Sequence, residues 1–257
     1  MCDRVRVNVA VELRGMLLPI SRRDFVLFSG AAALLPMLPS LSNAADASAP
    51  ASLDHILLGC SDLKTGIAFV EEKTGVQATP GGVHPGRGTQ NALLSLGEMS
   101  YLEIIALDPA QPTSKNPMAL KLKALTEPHL VGWAAHPGDL VAYAKKLRQA
   151  GIAFTGPTPG SRKRPDGQLL QWQTVDLKDD ASGLLPFFIQ WAAGSPHPSA
   201  DAPKGCALTS FAAQTPDPGW VKEILEKLGL DLSTLSRDNT GLVATITGPK
   251  GAAQFTS

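Results

Sequence analysis

The chain has 257 residues, of which 44% are hydrophobic and 18% charged, a globular composition that excludes disorder throughout. Lys+Arg and Asp+Glu both number 23; setting aside residues 1–44, with five basic and three acidic side chains, leaves 18 against 20 and a net charge of −2. That balance speaks against nucleic acid as a partner, and the 213 residues left can still close a sizeable core.

Residues 1–44 read as a removable leader. Ser21-Arg22-Arg23-Asp24-Phe25 stands before an apolar run, Phe25 to Leu41, and Ser42-Asn43-Ala44 offers small residues to a signal peptidase. A buried helix or a membrane anchor is the plain alternative. Gly30, Pro36 and Pro39 break the run, which is also shorter than the roughly 20 residues a spanning helix needs. The stretch resembles a twin-arginine export signal, which implies a periplasmic or secreted protein starting near Ala45; Met16 is an alternative initiator. With no second long apolar segment, the mature chain is expected to be soluble, with no membrane partner. Cys60 and Cys206 remain after the leader; an oxidising compartment permits a bridge, but both are expected reduced and buried.

Three amphipathic helices follow three short apolar strands. The first, from Asp62, aligns Leu63, Ile67 and Val70; the second, from Asp139, aligns Leu140, Ala144 and Leu147; the third, after Thr215-Pro216-Asp217-Pro218, aligns Val221, Leu225 and Leu228. An Asp stands at each start and a glycine at each end, Gly75, Gly151 and Gly229. The near-equal spacing of these glycines predicts an internal duplication. After the first helix, strands are expected at Val76–Thr79, Thr89–Leu96 and Tyr101–Leu107; after the second, near Gly151–Thr155, Leu169–Asp176 and Leu185–Trp191. The predicted fold is α+β: paired βαβββ modules over 52–109 and 129–192, within a domain spanning 45–193. A C-terminal extension, 204–257, has room for only two strands after its helix, a βαββ half module.

Two polar residues sit among apolar strand positions: His55 in Leu53-Asp54-His55-Ile56-Leu57 and Glu103 in Tyr101-Leu102-Glu103-Ile104-Ile105. An inward carboxylate without a partner costs several kcal/mol, so Glu103 requires a cation, a metal or a donor. A satisfied core residue is the plain alternative for each.

Leu53-Asp54-His55, Gly81 to Asn91, Tyr101-Leu102-Glu103-Ile104, Arg164-Pro165-Asp166-Gly167 and Pro186 to Trp191 occur in an order and spacing that resembles the glyoxalase-like domain of the vicinal oxygen chelate superfamily, over about 52–192. The resemblance implies curled sheets around a concave site, with metal ligands on the first and last strands of each module. Carried over, it gives His55 and Glu103 from the first module and Gln190 from the second as ligands of a divalent ion, Zn, Fe, Ni or Mn. The fourth position falls on Gly132 or Trp133, which cannot ligate; His84 is the substitute, or else a turn histidine. Glu103 and His84 are the expected catalytic residues, and Asn91, Arg164, Asp166 and Trp172 the expected substrate contacts. Thr89 and Asn91 are expected to face the cavity from a tight glycine-rich turn. The Ser161–Gly167 run is read as a basic loop, with Arg164 towards an anionic group.

Gly81–Gly88 lacks the Lys-Ser/Thr of a phosphate loop, and no serine-hydrolase elbow, Cys-x-x-Cys pair or His-Glu-x-x-His is present. Three functions fit. One is an exported metal-assisted lyase or isomerase acting on a small oxygenated substrate through an enolate. The second is a metal-free protein that binds or sequesters a small aromatic or anionic compound. The third is an assembly role, the half module pairing between chains in a homodimer. Glutathione-dependent chemistry is disfavoured by the predicted export.

Overall fold

The computed structural model describes residues 48–111 and 116–257. The leader, with Arg22, Arg23 and the start near Ala45, lies outside the described residues. The first module runs β1 (Leu53–Cys60), α1 (Leu63–Thr74), β2 (Thr79–His84), β3 (Thr89–Ser95) and β4 (Tyr101–Leu107). A short helix, α2 (Pro117–Lys123), follows. The second module repeats the order with β5 (His129–Ala135), α3 (Leu140–Gln149), β6 (Phe154–Lys163), β7 (Leu169–Leu177) and β8 (Phe187–Trp191).

Local chemistry explains the helices. Asp62 and Asp139 cap α1 and α3 by accepting from Thr65 N and Ala142 N, as the sequence predicts. Gly75 ends α1 in the left-handed conformation that glycine adopts without steric cost. The two modules share one eight-stranded sheet, ordered β2-β3-β4-β1-β5-β8-β7-β6. Within each module the first strand lies parallel to the last, and antiparallel pairing of β1 with β5 joins the halves.

This sheet curls until its two edges approach. The Arg162 guanidinium on β6 donates to the Gly81 carbonyl on β2. At Gly82, φ is +138°, and any Cβ would collide with the Lys163 carbonyl oxygen. One face of β1 and β4 (Ile56, Leu58, Cys60, Leu102, Ile104) packs with Val70 of α1 in the main core. The other face carries His55, Leu57, Glu103 and Ile105 into a cavity.

Several expectations are corrected. The second strand is Thr79–His84 rather than Val76–Thr79, so His84 ends a strand and does not sit in the turn. Strand β6 continues through Ser161-Arg162-Lys163, which the basic, proline-flanked sequence reads as a loop. Pro157 and Pro159 are tolerated because β6 is an edge strand, where a missing N–H breaks no ladder bond. Helix α2 has no counterpart in the expected order.

The C-terminal extension is also not a βαββ half module. It contains β9 (Ala207–Thr215), α4 (Pro218–Leu228), β10 (Ser233–Ser236), β11 (Gly241–Gly248) and β12 (Gly251–Thr256), a third βαβββ element order. The four-residue β10 and the tight β11–β12 hairpin make room for the extra strand. Its topology nevertheless differs: the sheet order is β10-β9-β11-β12, so the strand after the helix pairs directly and in parallel with the first. This sheet packs on the helical side of the large one. Phe211 meets Trp133 edge-on at 5.6 Å, Phe255 meets Phe69 at 6.0 Å, and Tyr143 Oη donates to Leu228 O at 2.8 Å. The third unit is therefore core, and none of its residues lines the cavity.

Of the cysteines, Cys60 is buried, with its thiol pushed up to about 12 by burial; Cys206 is only half-buried, beside Thr74 at the end of α1; both are free. No helix among the described residues is long and apolar enough to cross a membrane.

Candidate functional site

The concave face encloses a cavity of about 660 Å³. His55 from β1, Glu103 from β4, His84 from β2, Asn91 from β3, Arg162 from β6 and Trp172 from β7 all reach it. Glu103 is the hub. Its Oε1 accepts from Asn91 Nδ2 at 2.7 Å and lies 3.7 Å from His84 Nε2, while its Oε2 lies 3.4 Å from His55 Nε2.

His55 is 2% exposed, stacks on Tyr101 with centroids 4.6 Å apart, and meets Asp54 Oδ1 through Nδ1 at 2.7 Å. Burial works against an imidazolium here, but the Asp54 carboxylate, accepting from Nδ1, and the nearby Glu103 carboxylate overcome it and raise His55 to about 9. Burial likewise pushes Glu103 upward, and its contact with His55 reverses this and holds it at about 2. Asp54 also lies below the usual carboxylate range despite its burial, because the His197 and His55 rings face it. Its Oδ2 accepts from Trp191 Nε1 at 3.1 Å. His84 moves the other way: burial, joined by Arg162 and Arg87, pushes it below its ordinary value against the pull of Glu103. His84 Nδ1 meets Thr89 Oγ1 at 2.9 Å. The cavity thus holds a histidine biased towards its charged form and another biased towards neutrality, both in contact with one carboxylate.

The expected ligand set does not assemble. On β8 the alternation places Phe187, Ile189 and Trp191 in the cavity, so Gln190 points to the opposite face, where its Oε1 accepts from Leu140 N at 2.9 Å at the start of α3. Register explains the error. Glu103 stands two residues beyond the β4 partner of His55, and the same step in the second module, starting from Gly132, falls on Phe187. Gly132 and Phe187 supply no donor, and among the described residues no group of three His, Cys, Asp or Glu side chains is placed to hold a metal ion. The residues present do not fit a divalent ion held by His55, Glu103 and Gln190.

Arg164 and Asp166 lie outside the cavity and pair with each other at 3.1 Å, Arg164 also meeting Asp201. Both lie beyond the end of β6, in the turn where Gly167 N donates to Arg164 O, whereas Arg162 is still within the strand and lines the cavity. Asn91 and Trp172 do stand in the cavity wall, Asn91 3% exposed. Sequence reasoning missed Asp54, Arg162 and the inward trio of β8. For Arg162 the available signal was the two-residue period of a strand continuing through the prolines.

A family model described as a glyoxalase-like domain matches residues 53–229. No curated protein matches the chain. Among solved structures, a hypothetical protein from Staphylococcus aureus is similar at 17% identity, covering 79% of this chain and 84% of its own, with a TM-score of 0.56. Methylmalonyl-CoA epimerase from Mycobacterium tuberculosis is similar at 21% identity, covering 60% of this chain and 93% of its own, with a TM-score of 0.41. The Streptomyces coelicolor epimerase in complex with 2-nitronate-propionyl-CoA gives 21%, 57%, 99% and 0.43 in the same order.

Proposed function

We propose that this chain, which belongs to the glyoxalase-like domain family of the vicinal oxygen chelate superfamily, is an isomerase that moves a proton next to a carbonyl in a small, largely apolar substrate. The observation that carries the reading is the pair of oppositely biased histidines on Glu103. Groups whose environments push their pKa values apart define an acid and a base. Neutral His84 takes the proton from the carbon next to the carbonyl, and the C–H pair becomes the C=C bond of the enol. The carbonyl oxygen receives the displaced electron pair and takes a proton from His55 Nε2. Reversing these steps returns the hydrogen to the same carbon. Where that carbon carries a hydroxyl, His84 can instead deliver the hydrogen to the former carbonyl carbon while the hydroxyl becomes the new carbonyl and gives its proton to His55. Glu103 touches both rings throughout. Asp54 holds the His55 ring through Nδ1, leaving Nε2 for the substrate. At 3.4 Å the Nε2–Glu103 contact is longer than a charge-assisted hydrogen bond, so a substrate oxygen can compete for that proton.

The test is solvent exchange. Enolisable ketones and oxo acids incubated with the protein in D2O are followed by proton NMR, with and without EDTA. Catalysed loss of the carbon-bound proton signal that persists with EDTA is expected. Binding without any exchange across the panel overturns the enzyme reading in favour of a metal-free binding protein, which the missing donors at Gly132 and Phe187 also support. We further propose that the chain works outside the cytoplasm, on the strength of the Ser21–Phe25 twin-arginine pattern.

A further inference from the structure

We infer that Arg162 is the anion-binding residue of this cavity and that the ligand is a small carboxylate, an enolisable oxo acid with an apolar or aromatic body. The inference rests on the proton-transfer reading for the word enolisable, and on Arg162 itself for the carboxylate. Arg162 is 3% exposed and lines the cavity, yet its one hydrogen bond is to the Gly81 carbonyl. Among the described residues no carboxylate pairs with it, whereas Arg164, two positions on and more exposed, is paired with two. A guanidinium presents five donors in a planar fork, and leaving most of a buried one unpaired is costly. The field of Glu103 reaches it, but Glu103 is already engaged by Asn91 and the two histidines. A ligand carboxylate supplies the missing partner in bidentate geometry.

A second, independent observation marks the same wall. Asn91 Oδ1 is buried in the cavity lining and has no hydrogen-bond partner, although Nδ2 of the same amide is held by Glu103. An orphan acceptor beside the reacting groups calls for a donor on the ligand, and the hydroxyl of an enol is one. Phe187, Ile189, Trp191 and Trp172 belong to the apolar part of the lining, with Leu57 and Ile105, and suit a ring or branched chain.

The probes are phenylpyruvate and phenylacetone, which differ in carrying a carboxylate or a methyl group on the same carbonyl. Calorimetric titration of the mature chain is expected to give at least about tenfold tighter binding of the carboxylate. Arg162→Met is expected to erase the preference, and Arg162→Lys, which keeps the charge if the methionine variant fails to fold, to retain part of it. Equal affinity for the two probes, binding of neither, or a preference that survives in a folded Arg162→Met protein overturns the inference. Deuterium exchange at the methylene of the same probes keeps the two claims apart. Carboxylate preference without exchange sustains the Arg162 assignment and sinks the isomerase, and exchange without preference does the reverse.

Discussion

Asp54 and His55 are neighbours on one strand, yet their buried side chains meet at 2.7 Å. Successive strand residues normally point to opposite faces. Here the pairing of β1 with β5 slips between Leu53 and His55, leaving Asp54 as the extra residue of a bulge. The bulge brings the carboxylate to the side of the ring. It also lets Trp191 donate to the other oxygen, which ties the last strand of the second module to the first strand of the first.

Stability is expected to fall as pH rises from about 6.5 to about 9. His55 has a folded pKa above its ordinary value, so the native state keeps a proton that the unfolded chain releases. Its contribution is complete below the ordinary value and is lost through that window, at up to about 1.4 kcal/mol per pH unit. His84 has the opposite sense, since its depressed value makes the unfolded chain the better proton acceptor below its ordinary value of 6.5. Urea midpoints from pH 5 to 10 should therefore peak near neutrality. Asp54→Asn should flatten the alkaline side; an unchanged slope would exclude Asp54 as the cause.

Glu103→Gln and His84→Ala should each lower exchange by about 100-fold or more, in the range of lost general acid–base catalysis. Glu103→Gln should still bind phenylpyruvate, because Arg162 remains. The readouts are the NMR exchange rate and the calorimetric affinity, measured on the same preparations.

Gly82→Ala should destabilise the fold by more than about 1 kcal/mol, the scale for a side chain at a backbone conformation it rarely adopts. The added methyl collides with the Lys163 carbonyl oxygen, where β2 approaches β6. Loss of thermal stability together with weaker ligand binding is expected, since the same approach positions Arg162. Thermal melts with and without phenylpyruvate check it.

Gln190→Ala should leave ligand affinity and exchange unchanged while costing about 0.5–1.5 kcal/mol, the usual worth of one hydrogen bond. The lost bond is to Leu140 N at the start of α3. A large loss of exchange with no loss of stability would restore Gln190 to the site.

Replacing Arg22 and Arg23 with Lys should leave an unprocessed precursor in the cytoplasm. Fractionation and immunoblotting of the exporting host check it, and undiminished export would sink the twin-arginine reading.

Helices α1, α3 and α4 and most strands were legible because their signals are local. Leu63, Ile67 and Val70 follow Asp62 at helical spacing, and Asp62 caps that helix. Tyr101–Leu107 is bounded as the run of apolar residues implies. His55 and Glu103 were legible as a pair because a polar group among Leu and Ile stands out. Arg162 was hidden by Pro157, Pro159 and a basic run that looks like a loop, and Asp54 by an alternation rule that a bulge suspends. Gln190 stands three residues beyond Phe187, the position that the register gives, and an odd step along a strand exchanges the two faces.

By itself, the sequence determined most of the elements, the duplicated βαβββ order and the family, because caps, periodicity and motif spacing act over a few residues at a time. Only the tertiary structure decided which side chains share a cavity. The curl that carries β6 to β2, the bulge at Asp54 and the register of β5 against β8 depend on partners tens of residues away. Those three features leave Glu103 between two histidines, turn Gln190 away and aim Arg162 at whatever occupies the space between.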